Sequence, residues 1–186
     1  PLTYRCIQGL YAPGSTFKMV VAIAGIVHGA IDTNTKHFCS GKIGLGDRLY
    51  HCWKNNGHGL MNVSDAIKES CDVFFYEISK KIGIDKIAKV AEDFGLGRIY
   101  DVPLPNQKKG IIPSQDWKKK KYDESWYPGE TLISAIGQGF VLTNPLQLAV
   151  MTSIIASNGK NVKPNIIKQK NDIEFEKLEK YQNAIK

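Results

Sequence analysis

The chain has 186 residues, 42% of them hydrophobic, and a formal net charge of +7. That length supports one domain with a real core, and the apolar content excludes a disordered chain. The basic balance does not point to nucleic acid: the densest run, Lys118-Lys119-Lys120-Lys121, is followed at once by Asp123 and Glu124 and reads as a solvated loop, and no recognition-helix or RNA-binding pattern accompanies it.

Pro13 and Gly14 break the chain ahead of Val20, Val21, Ile23, Ala24, Ile26 and Val27, a run too dense for a surface helix, so a buried helix is expected over 15–29. Lys18 and His28 bracket that run and leave it too short to cross a membrane. The chain opens at Pro1, almost on top of this helix, and is expected to be a piece of a longer protein. Residues 30–63 are rich in Gly, Asn, His and Cys without sustained apolar periodicity, which predicts an irregular excursion or small hairpin subregion. The glycines of Gly41-Lys42-Ile43-Gly44-Leu45-Gly46 do not join a strand to a helix, which argues against a nucleotide-binding loop.

Ser64 and Asp65 are expected to cap a helix over 66–69, and a second helix runs from about Cys71-Asp72 to Gly83. An amphipathic helix follows over 85–94 with Gly95 as its stop. Residues 99–130, punctuated by Pro103, Pro105, Pro113 and Pro128, read as a long loop carrying exposed Trp117 and Trp126. Thr143 is the expected N-cap of a last strong helix ending at Gly159, with Pro145 in its first turn. A strand is expected over 162–168, and the charged tail after Asn171 has little to bury.

Two short patterns carry chemistry. Ser15-Thr16-Phe17-Lys18 sets a hydroxyl and an amine one helical turn apart at a helix start, so Lys18 is expected to reach the Ser15 hydroxyl. The helix N-terminus favours the negative charge that develops there. An N-cap serine with a solvated lysine is the commoner meaning of Ser-x-x-Lys, but an amine set among Phe17, Met19, Val20 and Val21 has little water around it, and an unpaired buried ammonium is costly. The second pattern, Ser70-Cys71-Asp72 ahead of Val73-Phe74-Phe75-Tyr76, offers a hydroxyl and a carboxylate at a helix junction, where a plain N-cap is the competing reading.

Taken in order, Ile7-Gln8-Gly9-Leu10-Tyr11-Ala12-Pro13-Gly14-Ser15-Thr16-Phe17-Lys18, Ser70-Cys71-Asp72-Val73-Phe74-Phe75-Tyr76, Gly129-Glu130-Thr131, Ile136-Gly137-Gln138-Gly139 and Thr143-Asn144-Pro145-Leu146-Gln147-Leu148-Ala149 resemble the transpeptidase domain of class B penicillin-binding proteins. Within that family the motifs resemble those of the elongation-specific branch, penicillin-binding protein 2. The resemblance implies an α/β fold of the penicillin-binding protein and β-lactamase type, here a partial domain over 1–186, mostly helical with an incomplete antiparallel sheet. It implies a peptidoglycan D,D-transpeptidase that takes stem peptides as substrates and β-lactam antibiotics as inhibitors. The implied setting is the periplasmic face of the inner membrane, among cell-elongation proteins including a glycosyltransferase, with no nucleic acid. Ser15 would be the nucleophile, Lys18 its base, Ser70 a proton relay, and Asp72, where many relatives carry Asn, a positioning group. The Ser15 backbone N–H would give half of an oxyanion hole.

One family signature, Lys-Thr-Gly or Lys-Ser-Gly on a strand, does not occur in this chain. Residues 1–186 alone are therefore expected to be poorly active or inactive. A carboxypeptidase, a β-lactamase or β-lactam sensor, and a non-catalytic scaffold stay open as alternatives.

Cys39, Cys52, His58 and Cys71 follow the spacing C-x12-C-x5-H-x12-C, with Cys6 apart. Three thiolates and an imidazole form a soft set suited to structural zinc, which the apolar-poor excursion would need as a staple. Gly57 and Gly59 flank His58 and let backbone approach closely. A Cys39–Cys52 disulfide, unrelated buried thiols, and His37 in place of Cys39 as fourth ligand all stay open. The resemblance implies a zinc site, since some members of this branch carry one near the active serine, and the metal would then fix the Ser70–Asp72 turn through Cys71.

Overall fold

The computed structural model describes residues 3–166 and 181–185. A short helix, α1 (Arg5–Gln8), leads to a 3-10 turn (Gly14–Phe17) that runs directly into α2 (Lys18–Val27). Ser15 thus sits in the tight opening turn, and the α-helix proper starts at Lys18. Val20, Val21, Ala22, Ile23 and Ala24 of α2 are all buried, as a helix apolar on every side requires.

The excursion contains four short strands, β1 (His37–Cys39), β2 (Lys42–Leu45), β3 (Arg48–His51) and β4 (Gly59–Met61). β1 pairs antiparallel with β4, His37 opposite Met61 and Cys39 opposite Gly59, while β2 and β3 form a hairpin nested between them. The sheet content among the described residues is these two ladders.

Next come α3 (Val63–Lys68), α4 (Asp72–Ile82) and α5 (Ile84–Asp93). The cap of α3 is Asn62, whose side chain accepts from Asp65 N at 2.8 Å, so Ser64 and Asp65 lie in the first turn instead of ahead of it. Asn62 has the extended backbone that lets a side-chain oxygen turn back onto the helix, which decides the cap. α4 packs on α2, with Ile78 beside Gly25 and the Phe75 ring near Lys18, and the buried Phe74, Phe75 and Ile78 each contribute about 2 kcal/mol by burial.

Residues 99–130 are not one long loop. Helix α6 (Gln115–Tyr122) is capped by Ser114, whose Oγ accepts from Trp117 N at 3.0 Å. Lys119 and Lys120 pair with Asp123 and Asp116 on the solvent side, but Lys118 is buried against Glu130. Trp117 and Trp126 are half-buried rather than exposed, both packing against Phe140.

Glu130 belongs to α7 (Pro128–Ala135), where its Oε2 accepts from Tyr127 N while Oε1 takes Lys118 Nζ at 2.6 Å. α8 (Pro145–Ala156) is capped by Asn144, not Thr143, because Thr143 exchanges both backbone bonds with Tyr11 in an isolated bridge. α8 closes at Gly159, whose N–H returns to Ile154 O. Residues 162–166 form no strand, and the rest of that expected strand and the tail through residue 180 lie outside the described residues. A last short helix, α9 (Gln182–Ile185), rests on α2. No helix among the described residues is long and apolar enough to cross a membrane.

Candidate active site and metal cluster

Two pairs more than 50 positions apart in sequence, Ser15 with Lys18 and Ser70 with Asp72, meet at the N-terminal ends of α2 and α4. Lys18 is 2% exposed, and its ammonium spends all three donors within this group: on Asp72 Oδ1 at 2.6 Å, Ser70 O at 2.8 Å and Ser70 Oγ at 2.9 Å. Ser70 Oγ in turn donates to Ser15 Oγ at 2.8 Å. The expected direct contact between lysine and nucleophile is therefore replaced by a two-step chain through Ser70. In the tight opening turn Ser15 stays solvent-exposed while Lys18, one turn on, points into the core.

The segment carrying Ser70 is strained. Ser70 has φ +53°, a conformation that costs a non-glycine residue about 1–3 kcal/mol and persists only where its surroundings fix it. Its carbonyl receives Lys18, its N–H returns to Ile67 O, and the next amide, Cys71 N–H, returns to Ala66 O. Asp72 is not a helix cap. Its second oxygen, Oδ2, accepts from the backbone N–H of Trp53 at 2.9 Å. Trp53 was not among the sequence candidates; its position directly after Cys52 was the available signal.

The turn that carries Ser15 is set by Gly137. The N–H of Gly14 donates to Gly137 O at 2.9 Å, and a Cβ on Gly137, which has φ +69°, would lie 2.2 Å from Gly14 O. Only glycine allows this backbone-to-backbone approach. Above these groups opens a cleft of about 580 Å³ whose walls include Trp53, Tyr76, Ile136 and Gln138.

The excursion brings Cys39 Sγ, Cys52 Sγ, His58 Nδ1 and Cys71 Sγ within 4.8 Å of one another. Cys39 and Cys52 each lie 3.6 Å from His58 Nδ1. A tetrahedral zinc with ordinary bond lengths sets sulfur–nitrogen edges of about 3.6 Å and sulfur–sulfur edges of about 3.8 Å, so the donor set fits a metal ion in kind and spacing. All four cysteines are free thiols, with Cys6 exposed on α1 away from the cluster. His37, in β1, stays outside it, its ring edge-on to Phe74 of α4 and its Nε2 buried, where burial and nearby Lys81 hold its pKa below the ordinary histidine value. Burial pushes the Cys71 thiol well above its usual range, and nearby Cys39 and Cys52 add to the shift. The ligand loops pack backbone to backbone: His58 N–H donates to Cys39 O, and a Cβ on Gly57 would lie 2.1 Å from that oxygen.

The hydrogen-bond chain and the cysteine–histidine cluster share one turn, because Cys71 lies between Ser70 and Asp72. All residues 1–186 match the family described as penicillin-binding protein transpeptidase domain. The chain is similar to the peptidoglycan D,D-transpeptidase MrdA of Acinetobacter baumannii, 38% identical over 170 residues that cover 90% of this chain and 25% of that protein. In structure it is similar to penicillin-binding protein 2 of Helicobacter pylori, with a TM-score of 0.91 and 35% identity, covering 100% of this chain and 35% of that one. The same protein in complex with MreC superposes with a TM-score of 0.90, again at 35% identity, over 99% of this chain and 35% of that one. A chain of a peptidoglycan synthase complex, described for its structural coordination of polymerization and crosslinking, superposes with a TM-score of 0.89 at 33% identity, covering 100% of this chain and 33% of that one. The chain thus spans about a quarter of the MrdA relative's length. On the family match over its whole length, the chain belongs to the penicillin-binding protein transpeptidase domain family.

Proposed function

We propose that residues 1–186 are one segment of a peptidoglycan D,D-transpeptidase domain that cross-links cell wall during elongation by acyl transfer through Ser15. The observation that carries this reading is the unbroken chain from Ser15 Oγ through Ser70 Oγ to Lys18 Nζ, on the floor of an open cleft. As an ammonium, Lys18 has no donor or lone pair left for Ser15. Once it has given up a proton, its lone pair faces Ser70 Oγ, and the Ser15 proton can pass through Ser70 to the amine as Ser15 attacks the carbonyl of the penultimate D-Ala.

The peptide C–N bond then breaks, and the same chain run backwards protonates the departing D-Ala amine. A second stem-peptide amine attacks the acyl-serine ester and returns the proton to Ser15. Asp72 holds the lysine in place throughout, and the Ser15 backbone N–H, in the 3-10 turn that leads into α2, faces the developing oxyanion. β-Lactams would acylate the same hydroxyl. The substrate-carboxylate site and the second oxyanion donor belong to a Lys-Thr-Gly strand that this chain does not carry.

The cysteine–histidine cluster is assigned to structural zinc, held by Cys39, Cys52, His58 and Cys71. When bound, zinc would keep three thiolates charged and tie the excursion to the Ser70 turn. The setting is the periplasmic face of the inner membrane, and partners follow from the MreC and synthase complexes of the relatives.

Replacing Ser15 by Ala in the full-length protein is expected to abolish labelling by a fluorescent penicillin and cross-linking of stem peptides. Labelling that persists in Ser15→Ala would overturn the reading. Metal analysis is expected to return one zinc per chain; a zinc-free protein with a Cys39–Cys52 disulfide would overturn the zinc assignment.

A further inference from the structure

Trp53 is 61% exposed, yet it makes three directed contacts to the turn behind the nucleophile. Its backbone N–H donates to Asp72 Oδ2 at 2.9 Å. Its indole Nε1–H lies 3.1 Å from both Glu69 O and Ser70 O. The ring also stands edge-on to His58, 5.4 Å between centroids. An indole so exposed gains little from apolar burial, so its placement is governed by the N–H it directs inward.

The Ser70 carbonyl has two lone pairs. One receives Lys18 Nζ at 2.8 Å and the other the indole N–H. With both filled, turning the peptide after Ser70 breaks two hydrogen bonds, which restrains the positive-φ turn in which the Ser70 hydroxyl lies between Ser15 and Lys18. We propose that Trp53 is a positioning residue for acylation, its indole N–H fixing the strained Ser70 turn so that the Ser70 hydroxyl bridges Ser15 and Lys18. The proposal rests on the acyl-transfer reading above. It differs from a purely structural role, in which the same N–H would only close the carbonyl end of α3 at Glu69.

Trp53→Phe in the full-length protein removes the N–H and keeps an aromatic ring. The non-covalent dissociation constant for a penicillin and the first-order acylation rate are measured separately, with zinc content and thermal unfolding of the same samples. Losing a hydrogen bond that holds reacting groups in register is expected to slow acylation about tenfold. Zinc should stay at the wild-type level, and the first-order acylation rate at saturating penicillin is the deciding readout, since Trp53 also forms part of the cleft wall. Acylation within about twofold of wild type overturns the proposal, whatever the melting temperature does. So does a variant that loses its zinc or its unfolding transition, since Trp53 would then be structural. Failure of the acyl-transfer reading shows in the wild type itself, which would take up no penicillin; failure of the Trp53 proposal shows only in the ratio of variant to wild type.

Discussion

Asp72 does two things with one carboxylate. Oδ1 pairs with a lysine that is 2% exposed, and Oδ2 holds the backbone of Trp53. Both bonds need an acceptor. In Asp72→Asn one of the two oxygens becomes an NH₂ group, which must face either the Lys18 ammonium or the Trp53 N–H, a donor against a donor. The buried lysine also loses its counter-charge. Asp72→Asn is therefore expected to lower unfolding free energy by about 1–3 kcal/mol and to slow acylation about tenfold. Denaturant unfolding and penicillin labelling in time course check both, and wild-type values in each would mean that the carboxylate is not what positions Lys18.

At the scale of elements, the site depends on how the end of α7 meets the turn before α2. Ala at position 137 would bear the positive-φ penalty of about 1–2 kcal/mol and would also press its Cβ onto the backbone of Gly14, which cannot swing aside as a side chain would. The turn carrying Ser15 must then move. Gly137→Ala is expected to fold with a lowered melting temperature and to be acylated about a hundredfold more slowly, the scale of loss that follows an ångström-sized misplacement of a reacting group. Wild-type labelling by the variant would show that Ser15 does not depend on this contact. Much of this architecture was legible. The dense apolar run announced α2, and the order of Ser15, Lys18, Ser70 and Asp72 announced which ends would meet. The cap of α8 differs from the expected one by a single residue because both Thr143 and Asn144 have capping side chains, and only the bridge to Tyr11 decides between them. Helix α6 was missed for a longer-range reason. Four consecutive lysines look solvated until Glu130, twelve positions on, arrives against Lys118. α7 had a readable start in Pro128 with Glu130 two residues later, and the proline-rich stretch before it obscured the signal.

The whole molecule joins two parts with different sources of stability. The helices around α2 bury a large apolar set, including Phe17, Phe74, Phe75, Phe94 and Met151, so their cohesion is expected to come from apolar burial. The excursion around β1–β4 buries little besides Ile31, Ile43, Met61 and its own cysteines, so its shape depends on the cluster. Cys71 belongs to both, being a cluster thiol and the residue between Ser70 and Asp72. On the zinc assignment proposed above, treating the full-length protein with a chelator under reducing conditions should leave the far-UV helical signal largely in place, expose residues 37–61 to proteolysis, and slow acylation at least roughly tenfold as the Ser70 turn relaxes. Returning zinc should restore the rate. Acylation that survives full metal removal would mean that the helices alone hold Ser70 at its positive φ. Collapse of the helical signal would mean that the two parts fold as one, and either result would overturn this division of labour. The prediction turns on the exposed Trp53 as much as on Cys71, since a loosened excursion also withdraws the indole from Ser70 and the backbone N–H from Asp72.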